Sequence, residues 1–209
     1  MAQLTFYTNP MSRGRIARWM LEEVGEAYET VLLDYGTTMK SPDYLAVNPM
    51  GKVPAIRHGD TVVTEAAAIC AYLADAFPQA GLAPPPAERG AYYRWLFFGA
   101  GPVEAAVTAK ALGLLAPEDK KMMVGYGSYG EVIDALERAV SGRDYIDGDR
   151  FSAADLYIAS QLGWGMMFGT IEKRPAFEAY VARMDSRPAA RRANELDDAA
   201  MPQKETQPA

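Results

Sequence analysis

Apolar and polar positions alternate at the start of the chain and then change period. In LTFY, Leu4 and Phe6 fall on one face and Thr5 and Tyr7 on the other, the period-two pattern of a β-strand. Beyond the turn pair Asn9-Pro10, apolar residues recur every four positions at Ile16, Met20 and Val24, joined by Ala17 and Leu21. That spacing predicts a helix packed along one side, with Ser12 where it starts and Gly25 as its stop. AYETVLLDY is β-branched and aromatic enough for a second strand, and the order strand–helix–strand implies parallel pairing. VPAIR and TVVT, separated by HGD, read as a hairpin, and EAAAICAYLADAF reads as a helix ending before Pro78.

The pattern then breaks. Three prolines in AGLAPPPAE lack backbone donors, which predicts a stiff linker over 80–88. After it strand signals largely vanish. RGAYYRWLFFGAGPVEAAVTAKALGLL, PEDKKMMVGYGSYGEVIDALERAV, SAADLYIASQLGWGMMFG and PAFEAYVARMDSRPAARRANEL all read as helical. Ser152 and Asp155 fit the S-x-x-D cap ahead of Ile158 and Leu162. The expected organisation is an α/β domain over 1–79, the linker, an all-helical domain over 89–196 and a flexible polar tail over 197–209.

Composition narrows the chemistry. A net charge of -6 argues against nucleic acid as a partner, because phosphate binding draws on clustered Lys and Arg. The first residues lack the basic flank and apolar run of a secretory signal, and no stretch approaches the roughly 20 apolar residues that span a bilayer. One cysteine, Cys70, and one histidine, His58, exclude an internal disulfide and disfavour a structural zinc site. The expectation is a cytoplasmic protein with no metal and no membrane contact.

Three strings in order then carry a resemblance. NPMSRGRIARWMLEE resembles the active-site turn and first helix of serine-type cytosolic glutathione transferases. NPMGKVPAI, Asn48 to Ile56, resembles the segment ending in that family's cis-proline, here Pro54, and TEAAAICAYLAD resembles its ES-x-AI helix. FSAADLYIA resembles the capping box of a core helix in the helical domain. The likeness runs from Leu4 to about Leu196. It implies a thioredoxin-like α/β N-terminal domain followed by an all-α C-terminal domain, a homodimer, and glutathione as co-substrate rather than a cofactor.

Such a reaction needs a thiolate. A free thiol titrates near about 8.5, and lowering that by about two units takes roughly 2.7 kcal/mol. A hydrogen bond to a charged partner supplies about 1.5–3 kcal/mol, and a helix N-terminus adds about 0.3–1 kcal/mol. One hydroxyl at a helix start is therefore about sufficient, acting as a donor to sulfur. The resemblance ranks Ser12 first for that role, ahead of Tyr7 and Asn9. Ser12 is also a favoured cap, Tyr7 a plausible wall aromatic and Asn9 half of an ordinary turn. Arg13 and Arg15 would raise the local positive potential.

The resemblance further implies that the backbone of Val53, before Pro54, pairs with the cysteinyl backbone of glutathione. Glu65 would take the α-ammonium group, the N–H of Ala66 the α-carboxylate, and Lys40 and Lys52 the glycyl carboxylate. Ala66 stands where the family's serine is usual, which removes one hydroxyl contact. Met11, Phe97, Phe98, Trp164 and Met167, with Met166 and Phe168, are candidates to meet an apolar electrophile. No cysteine lies in the turn, which disfavours mixed-disulfide chemistry. Conjugation in the manner of a detoxifying transferase leads the readings. Glutathione-dependent isomerisation or dehalogenation, and a non-catalytic binding protein on the same fold, are the alternatives.

Overall fold

A computed structural model describes residues 3–201. They divide into two compact units: the chain up to Ile69 together with the segment from Pro188 onward, and Cys70–Arg187.

The first unit is built on strands β1 (Leu4–Thr8), β2 (Glu29–Leu32), β3 (Ala55–His58) and β4 (Thr61–Thr64), in the sheet order β2-β1-β3-β4. β1 and β2 are parallel, joined by helix α1 (Gly14–Val24), and β3 and β4 form the expected antiparallel hairpin. This is the mixed sheet of the thioredoxin-like domain that the resemblance implied. Leu4 and Phe6 are buried, as is the predicted stripe Ile16, Ala17, Met20, Leu21 and Val24. Gly25 caps α1 in the left-handed conformation, its N–H bonded to the Leu21 carbonyl (3.0 Å). Tyr7 points to the other face. There it packs, with Val47 and Val53, against a buried cluster of Leu33, Met39, Tyr44 and Ala55. Tyr44 belongs to the short helix α2 (Pro42–Leu45), whose start is capped by Ser41.

Helix α3 (Ala66–Ala76) follows β4. The second unit takes in its later turns and then α4 (Gly90–Phe98), α5 (Glu104–Ala111), α6 (Tyr129–Val140), α7 (Ala153–Phe168) and α8 (Pro175–Asp185). Three helical expectations are corrected in detail. The first helical string runs on through a π-helical turn, Gly99–Val103, holding Pro102, and ends at Ala111 rather than Leu115. In the second, only a 3₁₀ segment, Glu118–Met123, precedes α6, because a capping box starts that helix at Ser128: its hydroxyl accepts from the Glu131 N–H (3.2 Å) and the Glu131 carboxylate accepts from the Ser128 N–H (2.9 Å). The fourth string breaks ahead of Pro188, which opens a new helix, α9 (Pro188–Ala199).

The cap at Ser152 and Asp155 is present as expected, and burial pushes the Cys70 thiol up to about 12, in keeping with a small core hydrophobe. α9 returns to the first unit and packs along α1. It runs through Ala199, into the stretch expected to be a flexible tail, and Asp197 is fully buried. Residues 202–209 of that expected tail lie outside the described residues. Among the described residues, no helix is long and apolar enough to cross a membrane, and no cluster of His, Cys, Asp and Glu is arranged to hold a metal.

Candidate active site

β1 delivers the chain into the turn Asn9–Arg13, and that turn is held together by its own polar groups. The Asn9 amide donates to the Leu33 carbonyl (2.8 Å), tying the turn to the end of β2, and its side-chain oxygen accepts from the Met11 N–H (2.9 Å). Ser12 is buried; its hydroxyl donates to the Asn9 carbonyl (2.6 Å) and accepts from the Gly14 N–H (2.9 Å). Ser12, one place ahead of the cap residue Arg13, thus takes up the first amide of α1, and its proton has a partner within the turn. Arg15 braces the same turn from outside. Its Nε donates to the Pro10 carbonyl (2.7 Å) and its other arm meets Asp198 of α9 (2.7 Å). Arg13 is exposed.

Gly14 is needed here for space. A Cβ on it would lie 1.9 Å from the Thr8 hydroxyl oxygen and 2.9 Å from that of Ser12. Thr8 Oγ1 is buried and has no hydrogen-bond partner among the described residues. Alanine is the better helix former by about 1 kcal/mol, so the two effects oppose one another. Gly14→Ala is expected to destabilise by about 1–3 kcal/mol, as overpacking does. Urea unfolding measures this, and a stabilised variant would mean that the turn gives way freely.

The second group of candidates sits beside Tyr7, which lies opposite Ala55 in the sheet. The Val53-Pro54 peptide is cis, as the resemblance implied. Val53 is half-buried against the cluster around Tyr44, whose ring lies 5.5 Å from that of Tyr7. Tyr7 is therefore primarily a wall of this cluster. The carbonyl of Lys52 accepts two side-chain bonds, from the Tyr44 hydroxyl (2.6 Å) and the Asn48 amide (2.8 Å). The Lys52 side chain is exposed, whereas the Lys40 ammonium donates to the Met50 carbonyl (3.0 Å) and so braces the turn ahead of Val53. Tyr44 and Asn48 escaped the sequence reading. Asn48-Pro49 is a visible turn pair, but nothing local in the sequence signals the reach of Tyr44.

Thr64 pairs with Ala55, so Glu65 follows at the sheet end where Pro54 and the end of β1 also lie. Glu65 is exposed and is the one non-glycine among the described residues at positive φ (67°), which leaves Ala66 as the first residue of α3. One end of one sheet thus gathers the turn carrying Asn9 and Ser12, the Val53-Pro54 edge, and the acidic start of α3. The apolar candidates belong to both units. Met11 is exposed on the turn. In the helical unit Phe97 (72 % exposed) and Met167 (75 %) stand out from their helices, Phe98 packs edge-on against Trp95 (5.5 Å), and Trp164 against Phe168 (5.6 Å).

Comparison with known proteins agrees with this architecture. Residues 2–75 match the glutathione S-transferase N-terminal domain and residues 115–188 the glutathione S-transferase C-terminal domain. A glutathione S-transferase of Arabidopsis thaliana is 31% identical over 164 residues, covering 73% of this chain and 76% of that one. Glutathione S-transferase 3 of Zea mays is 30% identical over 205 residues, covering 90% and 92%. A sphingomonad glutathione S-transferase solved in complex with glutathione superposes with a TM-score of 0.75 at 30% identity, covering 93% of this chain and 98% of that one.

Proposed function

The chain belongs to the cytosolic glutathione transferase family, and on that premise we propose that it binds glutathione at the end of the sheet described above and stabilises its thiolate for attack on small apolar electrophiles. The observation that carries the reading is the convergence, at one sheet end, of a buried helix-start hydroxyl, a cis X-Pro edge and an acidic helix start. The sulfur forms its new bond to an electrophilic carbon, and the pair released from that carbon goes to the leaving group or into a conjugated acceptor.

In this reading Ser12 is the thiolate donor. Its hydroxyl turns about the Cβ–Oγ bond from the Asn9 carbonyl to the sulfur, while its oxygen keeps accepting from the Gly14 N–H. Leaving Asn9 forfeits a neutral hydrogen bond of about 1 kcal/mol, against about 1.5–3 kcal/mol gained on a charged acceptor. The net of about 0.5–2 kcal/mol corresponds to lowering the thiol by about one unit. That is less than the two units suggested by the hydroxyl acting alone, because the structure supplies a competing acceptor.

The Ser12→Ala variant is therefore expected to raise the pH at which bound glutathione ionises by about one unit, read from thiolate absorbance. It is also expected to lose about 1 kcal/mol of stability as a cap. A destabilised variant with an unmoved thiol would leave Ser12 only its capping role. The engaged state of that hydroxyl, with Ala66 in place of the usual serine, also favours a second reading, a non-catalytic binding protein on the transferase fold. Calorimetry at millimolar glutathione separates this second reading when it shows no heat of binding. Homodimerisation and a cytoplasmic role in detoxification follow from the family reading.

A further inference from the structure

Two buried donors converge on one carbonyl directly ahead of the cis-proline. Tyr44 and Asn48, 3% and 4% exposed, both donate to the Lys52 oxygen. Either bond alone would satisfy a buried carbonyl; two from different directions also fix where it points. The donors are themselves held. The ring of Tyr44 is wedged among Leu33, Met39 and Ala55. The side-chain oxygen of Asn48 accepts from the Met50 N–H (3.1 Å), and its backbone carbonyl accepts from the Gly51 N–H (2.8 Å). The turn is tight enough that Gly51, at φ 56°, leaves a would-be Cβ only 2.6 Å from the Met39 carbonyl.

The peptide between Lys52 and Val53 is trans and planar, so its C=O and N–H point in opposite directions as one rigid unit. Pinning the oxygen from the Tyr44 side therefore aims the Val53 N–H away from it. None of the turn's backbone hydrogen bonds among the described residues uses that N–H.

We propose that Tyr44 and Asn48 are positioning residues that set the direction of the Val53 N–H, and that this fixed amide selects a ligand with a peptide carbonyl at the matching place. The inference rests on the reading that glutathione binds here, where the matching group is its cysteinyl carbonyl. Burial pushes the Tyr44 phenol up to about 12, so it stays a donor through neutral pH.

The test compares two ligands by calorimetry: glutathione, and an analogue whose cysteinyl carbonyl is replaced by a methylene. Tyr44→Phe keeps the ring and removes the donor. It is expected to weaken glutathione about two- to tenfold, the worth of one neutral hydrogen bond, while leaving the analogue's affinity unchanged. The pH at which the bound thiol ionises should not move. Asn48→Asp, which keeps the acceptor for Met50 and removes the donor to Lys52, should give the same split. A general loosening of the turn would weaken both ligands equally, and that result, or no weakening of either, overturns the positioning role while glutathione binding by the wild type stands. Wild-type protein that fails to bind glutathione overturns the functional reading and this inference together.

Discussion

Replacing Asp197 by alanine is expected to cost about 3–5 kcal/mol of stability, while Asp198→Ala next to it costs at most about 1 kcal/mol. These two carboxylates of α9 bind arginines of α1 at close range, Asp197 to Arg18 (2.8 Å) and Asp198 to Arg15 (2.7 Å). Burial separates them. The side chains of Arg18 and Asp197 are 5% and 0% exposed, whereas Asp198 is 68% exposed. Removing Asp197 strands a guanidinium that the Tyr28 hydroxyl (3.2 Å), the Thr30 hydroxyl (3.4 Å) and the face of the Phe6 ring cannot neutralise. Removing Asp198 merely returns an exposed group to water. Urea unfolding at neutral pH reads both variants. The double replacement Arg18→Met with Asp197→Leu should recover much of the loss, since an apolar pair carries no desolvated charge. Equal losses from the two single variants would show that the pair does not hold α9 in place.

The second large effect lies in the helical unit. Asp155 gathers four donors: the Ile146 N–H (2.7 Å) and Tyr180 hydroxyl (2.7 Å) on one oxygen, and the Ser152 N–H (3.0 Å) and Ser152 hydroxyl (3.2 Å) on the other. Alanine there leaves the Ile146 N–H, the Ser152 N–H and the Tyr180 hydroxyl without that acceptor in a dry interior, at about 1–3 kcal/mol each, while the Ser152 hydroxyl keeps Asp147 (2.9 Å). The losses do not add in full because the site relaxes, and Asp155→Ala is expected to destabilise by about 3–5 kcal/mol. Heat or urea unfolding measures it, and a loss below about 1 kcal/mol would reduce the carboxylate to an ordinary cap.

Asp155 also gives a pH signature. Burial pushes its carboxyl up to about 6, against the opposing pull of the Tyr180 hydroxyl and the Ile146 N–H. Between the ordinary carboxylate value and about 6, the folded chain holds a proton that the unfolded chain has released. This group's contribution is thus fully present below about 4 and is lost as the pH rises through about 6. The stability of wild type minus that of Asp155→Asn should therefore fall by about 2 kcal/mol from pH 4 to pH 7. The subtraction removes the carboxyls that do not interact with Asp155; Asp147, whose charge helps to raise the Asp155 carboxyl, is the neighbour whose titration stays in the difference. A flat difference would contradict the assignment.

Much of the site was legible before any coordinates. The change from period two to period four around Asn9-Pro10 placed Ser12 at a helix start, and NPMGKVP marked the Val53-Pro54 edge. What Ser12 does with its proton was not legible. A sulfur, a backbone N–H and the Asn9 carbonyl all suit a hydroxyl, and only the folded turn shows that Asn9 accepts and Gly14 donates. Lys40 is a candidate for a carboxylate from its charge, and only the fold shows that its ammonium also donates to the Met50 carbonyl. That the stretch from Asp197 to Ala199 belongs to a packed helix was hidden for a related reason. Polar composition near a chain end reads as solvated, and nothing nearby in the sequence reveals an arginine waiting beneath it.

By itself, then, the sequence determined the features set by neighbours a few residues apart: the strand and helix periods, the glycine stop at Gly25, the cap at Ser152 and Asp155, and the order of elements that builds a mixed sheet followed by helices. Tertiary structure alone decided that Asp197 pairs with Arg18 across 179 positions, that Tyr180 reaches Asp155 across 25, and that Tyr44 and Asn48 meet on Lys52. The physical reason is that local patterns are enforced by backbone geometry within a turn or two. The cost of a buried charge or donor depends instead on whichever group the fold brings against it, and chain order does not encode that partner locally.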